Sequence, residues 1–178
     1  PDRTIVQSWA RCANDYRLDP SRVGAPIVID TGELEVKRAQ YEDLVTIAAA
    51  EMDRLYHQIC GSGYALLLTD ASGVILYEKV DPALKDVFRN AGLVAGADWS
   101  ERRQGTNGMG TCLAERRPVT VHRNEHFHAQ HDASLFWILL DQVRTPDGIV
   151  RAVEQIPTGQ KPRFATLFHA LLNRGVYL

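Results

Sequence analysis

The chain has 178 residues, 45% of them hydrophobic and 24% charged, the profile of one globular domain with some attached helix and enough apolar side chain to fold without metal or disulfide support. Its 20 Lys and Arg against 22 Asp and Glu leave a formal net charge of -2, with no basic run long enough to follow a phosphate backbone, so direct nucleic-acid contact by this region is not expected. No apolar stretch reaches the roughly 18 residues that a bilayer span needs, and Pro1-Asp2-Arg3-Thr4 lacks the form of a signal peptide, so the expected location is cytoplasmic, with no membrane contact.

Ile5, Trp9, Cys12 and Tyr16 recur at helical spacing and predict an amphipathic helix over residues 4–16. Residues 18–26, with Pro20, Gly24 and Pro26, read as a linker. Asp30 then caps a second helix, with Glu33 three residues on completing a capping box. From Tyr41 the apolar positions Val45, Ala48, Met52, Leu55 and Ile59 step by four and three, the seam of a helix lying along another helix. That seam predicts a homodimer; packing within one subunit is the alternative. Gly61-Ser62-Gly63 ends the helix. Apolar runs over 64–68 and 73–77, joined by Thr69-Asp70-Ala71-Ser72, predict an antiparallel hairpin. Asp81-Pro82 opens a helix through Phe88 to about Ala91, with Pro at its first position.

Residues 92–96 read as loop, 119–121 as a brief strand and 125–131 as a short helix or turn. A second hairpin, 134–143 with 149–156, turns at Thr145-Pro146-Asp147-Gly148, and 162–173 forms a closing helix stopped by Gly175. The order of elements predicts an α+β fold in which helices sandwich one antiparallel sheet.

The segment from Trp99 to Pro118 carries three glycines in six residues, Gly105, Gly108 and Gly110, ahead of a helix-forming run at 112–116. Glycines admit left-handed or closely packed backbone, and the start of the following helix presents free N–H groups to a carboxylate, carbonyl or phosphate. It is not a P-loop, because Thr111 stands where that motif needs Lys.

In this segment, and in Ser8-Trp9-Ala-Arg11-Cys12, Leu18-Asp19-Pro20, Leu67-Leu-Thr-Asp70, Gly73-Val-Ile-Leu76, Pro118-Val119 and Glu125-His-Phe127, the chain resembles the GAF sensor domains at the N-termini of acetoin-catabolism-type and dihydroxyacetone-type (Fis-family) sigma-54-dependent activators. The resemblance covers residues 4 to about 131 and weakens beyond Ser134, where Phe136-Trp137-Ile-Leu-Leu-Asp141 stands in place of a small-residue strand. It implies a GAF-type antiparallel sheet between helices with an N-terminal helical extension. It divides the chain into an N-terminal helix and linker (1–26), a long signalling and dimer helix (27–60) and a sensor core (61–178). Relatives continue into an ATPase module and a DNA-binding helix-turn-helix, neither of which is expected in this chain.

The implied function is that of a non-catalytic sensor whose small-molecule effector is a short ketone, hydroxyketone, diol or alcohol; no cofactor and no metal are expected. The family pocket places ligand contacts at Tyr64, Leu66, Tyr77, Phe88 and Trp99, and at Glu101, Thr106, Asn107, Thr111 and Trp137, an apolar cavity with a few polar groups. Three of these have competing structural readings: Trp99 as a core anchor, Glu101 as a cap or ion-pair partner, and Asn107 as a residue tolerating a left-handed turn. His122, His126, His128 and His131 fall within ten residues, and two pairs have spacings able to chelate iron or zinc on a helix. Cys12, Cys60 and Cys112 are far apart and form no C-x-x-C pair, so buried apolar thiols are expected. Two alternative functions stand: a domain that binds a protein partner, and a methionine sulfoxide reductase of the GAF type using Cys60 and Cys112.

Overall fold

A computed structural model of the chain describes residues 2–22, 24, 26–59, 65–128, 143–145 and 148–150. Helix α1, Arg3–Ala10, begins at Asp2, whose carboxylate accepts a hydrogen bond from the Thr4 amide at 2.8 Å, satisfying one donor that a helix start leaves open. It continues through Arg11–Asp15 as a wider π-helical turn, so the helix expected over 4–16 is present. Helix α2, Thr31–Gln40, is capped by Asp30, which accepts from the Glu33 amide at 2.9 Å. It stops at Tyr41, and α3 follows as Glu42–Ile59.

The expected hairpin forms from β1, Ala65–Thr69, and β2, Ile75–Val80, antiparallel with Ala65 opposite Val80 and Leu68 opposite Tyr77. The register shifts after Leu68, so that Thr69 faces Ile75. Asp70 holds the turn, its carboxylate accepting from the amides of Ser72 and Val74 at 2.9 and 3.0 Å. Alternation along β1 then divides the core in two. Leu66 and Leu68 meet Leu44, Ala48, Met52, Val45 and Tyr77, so the apolar seam of α3 packs on the hairpin of its own chain. On the other face Ala65 and Leu67 meet Ile75, Phe88, Leu93, Ala97 and Trp99. Phe88 comes from α4, Lys85–Asn90, entered through the 3-10 turn Pro82–Leu84 that Asp81 caps. Each large side chain fully buried here, Trp99 and Phe88 above all, contributes about 1.5–3 kcal/mol through burial. The fold is α+β, an antiparallel sheet between helices.

Two extended segments widen the sheet edge. The Ile75 amide donates to Ala97 O at 2.9 Å, and the Asp98 amide to Ile27 O at 2.9 Å, making single bridges Val74 to Asp98 and Val28 to Ala97. Beyond them lie α5, Glu101–Gln104, and α6, Gly108–Glu115, the latter starting four residues earlier than the run at 112–116 suggested. Residues 119–121 pair with no strand among the described residues, a correction to the brief strand expected there. Arg116 ends α6 in a left-handed conformation, φ 53°, Pro118 offers no N–H, and the chain runs on irregularly with Val121 buried as its anchor. A 3-10 turn follows at Arg123–Glu125.

The centre of the second hairpin is present as β3, Val143–Thr145, antiparallel to β4, Gly148–Val150. Its expected remainder, at 134–142 and 151–156, and the closing helix at 162–173 lie outside the described residues. No helix among the described residues is long and apolar enough to cross a membrane.

Candidate functional site

The glycine-rich segment is tied into a knot by Asn107. This residue is fully buried and extended, φ -153°, at the N-cap of α6. Its side-chain carbonyl accepts from the Gly110 amide at 2.9 Å, while its Nδ2 donates to Trp99 O at 3.1 Å and Gly105 O at 2.8 Å. Its own amide donates to Thr111 Oγ1 at 3.2 Å. Asn107 is therefore structural by bonding; the left-handed conformation suggested for it belongs to Gly105, φ 66°. Gly110 answers a different demand, close approach: a Cβ there would lie 2.3 Å from Glu101 N and 2.7 Å from Trp99 O. The glycines thus bring α5 and α6 into backbone contact. Trp99, fully buried, donates its indole N–H to Gly92 O at 2.9 Å.

Helix α1 docks on this knot. Ser8, Arg11 and Cys12 share one helical face by their three- and four-residue spacing. Ser8 Oγ lies 2.7 Å from Thr106 Oγ1 and 3.3 Å from Thr111 Oγ1, all three hydroxyls being buried. Arg11 donates from Nε and Nη2 to the two oxygens of Glu101 at 3.0 and 3.1 Å, a forked pair, and its Nη1 stands 2.7 Å from Glu115. The hydrogen bond to Glu101 raises the Arg11 pKa above its ordinary value. The Cys12 thiol lies 3.8 Å from Glu101 Oε1 and 3.6 Å from Thr106 Oγ1, and burial pushes its pKa up to about 11. Trp9 Nε1 donates to Glu125 O at 2.7 Å, and Arg117 bonds Thr4.

The expected contacts fall in three places. Leu66 and Tyr77 lie on the α3 face of the hairpin, with Tyr77 hydroxyl 3.5 Å from Asp53. Phe88 and Trp99 lie on the opposite face. Glu101, Thr106, Asn107 and Thr111 form the buried polar junction with α1. Tyr64 and Trp137 lie outside the described residues. The hairpin separates the first group from the second, and Asn107 Nδ2 joins the second to the third through Trp99 O. Ser8, Arg11 and Cys12 were not among the expected site residues. Their shared helical face was readable, but nothing in the sequence shows that this face meets a segment some 90 residues further on.

Of the clustered histidines, His126 and His128 are buried and His122 is half-buried; burial lowers the His128 pKa. The backbone amide of His122 donates to Glu125 Oε2 at 2.8 Å. Among the described residues no group of three or more His, Cys, Asp and Glu is placed to hold a metal ion, and His131 lies outside them. Burial pushes the Cys112 thiol, on α6, up to about 11.

Residues 43–147, more than half of the chain, match the GAF domain family. The chain belongs to that family. It is 40% identical over 131 residues to the acetoin catabolism regulatory protein of Cupriavidus necator, covering 73% of this chain and 20% of that protein. It is also 29% identical over 125 residues to AcoR, the acetoin dehydrogenase operon transcriptional activator of Bacillus subtilis, covering 70% of this chain and 20% of that protein. The relation to MimR, the propane 2-monooxygenase operon transcriptional activator of Mycolicibacterium smegmatis, is 27% over 125 residues, with the same coverage. This GAF chain spans about a fifth of the length of these three regulators. A chain in the crystal structure of the E. coli DhaR(N)-DhaL complex shares the fold, with a TM-score of 0.71 at 16% identity over 96% of this chain and 59% of that one.

Proposed function

We propose that this GAF chain is the sensing region of a bacterial transcription activator: it binds a short ketone, hydroxyketone, diol or alcohol and controls an ATPase and DNA-binding module that lies outside this chain. The observation that carries the reading is the 40% identity to a regulator of acetoin catabolism, acetoin being itself a hydroxyketone. Such a ligand needs an apolar wall and a few polar groups. Phe88 and Trp99 supply the first, and Glu101, Thr106 and Thr111 the second, with Tyr64 and Trp137 as the remaining candidates; Leu66 and Tyr77 lie across the hairpin from this wall, and Asn107 frames the site through its backbone bonds. Regulation follows if the two signalling states of the module bind the ligand with different affinity.

In this reading the domain acts without catalysis: burial raises the thiols of Cys12 and Cys112 to about 11, which disfavours the thiolate that sulfoxide reduction needs; Cys60 lies outside the described residues. Residues 1–26 serve as N-terminal helix and linker, 27–60 as the signalling segment, two helices in place of the one long helix expected, and 61–178 as sensor core in the cytoplasm; with the α3 seam packed on its own chain, a homodimer needs another surface, and sedimentation analysis reads that state directly.

Calorimetric titration with acetoin, dihydroxyacetone, 2,3-butanediol and 2-propanol tests the ligand reading. Binding of at least one, with a thermal midpoint that rises with its concentration, is expected. Failure of the whole panel on both measures overturns it in favour of a second reading, a domain that docks a protein partner, to which the exposed apolar side chains of Val36 on α2 and Ile47 on α3 are available.

A further inference from the structure

Helix α1 lies outside the stretch that matches the GAF family, residues 43–147, yet covers the most distinctive part of it. The chemistry of that contact is polar. Apart from Ile5 and Cys12, the buried groups α1 brings are the hydroxyls of Thr4 and Ser8, and its charged anchor is Arg11 between Glu101 and Glu115. None of its residues belongs to either apolar cluster around the hairpin. A contact of this kind is specific but weakly adhesive, because water replaces each lost hydrogen bond on separation and little apolar area is exposed. The connection to α2, residues 16–30, contains no helix among its described residues and meets the sheet edge only near its end, through Ile27, Val28 and Ile29. Elements held by few apolar contacts are those that open locally in native proteins.

We propose that α1 is a releasable strap. Docked, it covers the Glu101 carboxylate and the Thr106 and Thr111 hydroxyls; open, it uncovers all three while the hairpin and both apolar clusters stay folded. The opening itself needs no ligand. Its regulatory use rests on the small-molecule reading above, since a polar ligand that engages these groups and the docked strap compete for them.

Cys12 reports the strap, because its thiol is fully buried against Glu101 and Thr106, whereas Cys112 on α6 reports the core. Iodoacetamide alkylation of the whole chain, with each cysteine followed separately by mass spectrometry, measures both openings without any metabolite. Arg11→Ala is expected to speed modification of Cys12 at least tenfold, equivalent to about 1.4 kcal/mol, with Cys112 unchanged within twofold. Ser8→Ala, which strips no charge, is expected to speed Cys12 by a smaller factor and stands in if Arg11→Ala does not fold. The proposal is overturned if Cys12 in the unaltered chain reacts like an unprotected thiol, if Cys12 and Cys112 accelerate together, or if neither variant changes Cys12. A failed metabolite panel would leave these rates, and the strap, intact.

Discussion

Replacing Gly110 by Ala sets two opposing effects against each other at one atom. In an exposed helix interior the change would stabilise the chain by about 1 kcal/mol through helix propensity. Here the new methyl group would sit 2.3 Å from Glu101 N, 2.7 Å from Trp99 O and 2.8 Å from Ser100 C. All three neighbours are backbone, so no side chain can swing aside, and α5 has to retreat from α6. Overpacking of this kind costs about 3 kcal/mol. The retreat also breaks the bond from Asn107 Nδ2 to Trp99 O, a further loss of about 1 kcal/mol. The net expectation is a destabilisation of about 3 kcal/mol, a fall in thermal midpoint of roughly 6–12 °C for a chain of this size. Urea unfolding of Gly110→Ala beside Gly24→Ala, where a Cβ meets nothing within 4 Å, measures it. A Gly110→Ala chain as stable as the parent, or more so, would refute the close-approach account of this glycine.

Asn107→Ala should cost about 2–4 kcal/mol in urea unfolding, through loss of the α6 cap and of partners for two buried carbonyls, while Asn107→Ser, which keeps the cap alone, should fall between it and the parent. Burial by itself would raise the Asp70 pKa, but Lys37 at 2.6 Å, Ser72 and the Val74 amide outweigh it and hold the carboxyl below its ordinary value. A depressed folded pKa adds stability that is present above the unfolded value of about 3.9 and is lost as pH falls below it. The acid slope of the thermal midpoint below about pH 4 should therefore shrink in Asp70→Asn, and an unchanged slope would assign it to other carboxylates. If the strap competes with ligand, Arg11→Ala should tighten whichever panel compound binds by up to the factor by which it opens the strap, because the competent state is no longer a minority; calorimetry that finds equal affinity would separate the two events.

The elements legible in the sequence are those whose signals are local. Asp30 and Asp81 mark helix starts by their own side chains, and the β1–β2 hairpin is announced by two apolar runs around an Asp70 turn. Segments 27–29 and 96–99 join the sheet through one bridge each, too short to leave a period of two. Helix α5 has four residues, less than one repeat of any apolar pattern beyond its first turn. Gly108 and Gly110 disguise the start of α6, since glycine ordinarily lowers helix propensity and here is required by the closeness of α5. The special character of 99–118 was visible in those glycines. Its role was not, because Asn107 spends its bonds on neighbouring backbone, and the docking of α1 joins residues 89 to 116 apart in sequence.

The hydroxyls at this junction also limit how a ligand could use them. Thr106 Oγ1 already faces Ser8 Oγ at 2.7 Å and the Cys12 thiol at 3.6 Å, and Thr111 Oγ1 faces Ser8 at 3.3 Å while accepting from the Asn107 amide at 3.2 Å. A hydroxyl offers one donated and two accepted hydrogen bonds, so with α1 docked little capacity remains at either. Glu101 is in the same position, both its oxygens held by the Arg11 fork. A ketone or diol reaching these groups therefore has to displace Ser8 or Arg11, and an exchange of one polar partner for another involves a small difference in free energy. Small differences are what a sensor works with, because a bound metabolite can move a conformational equilibrium only when the two states lie within a few kcal/mol of each other.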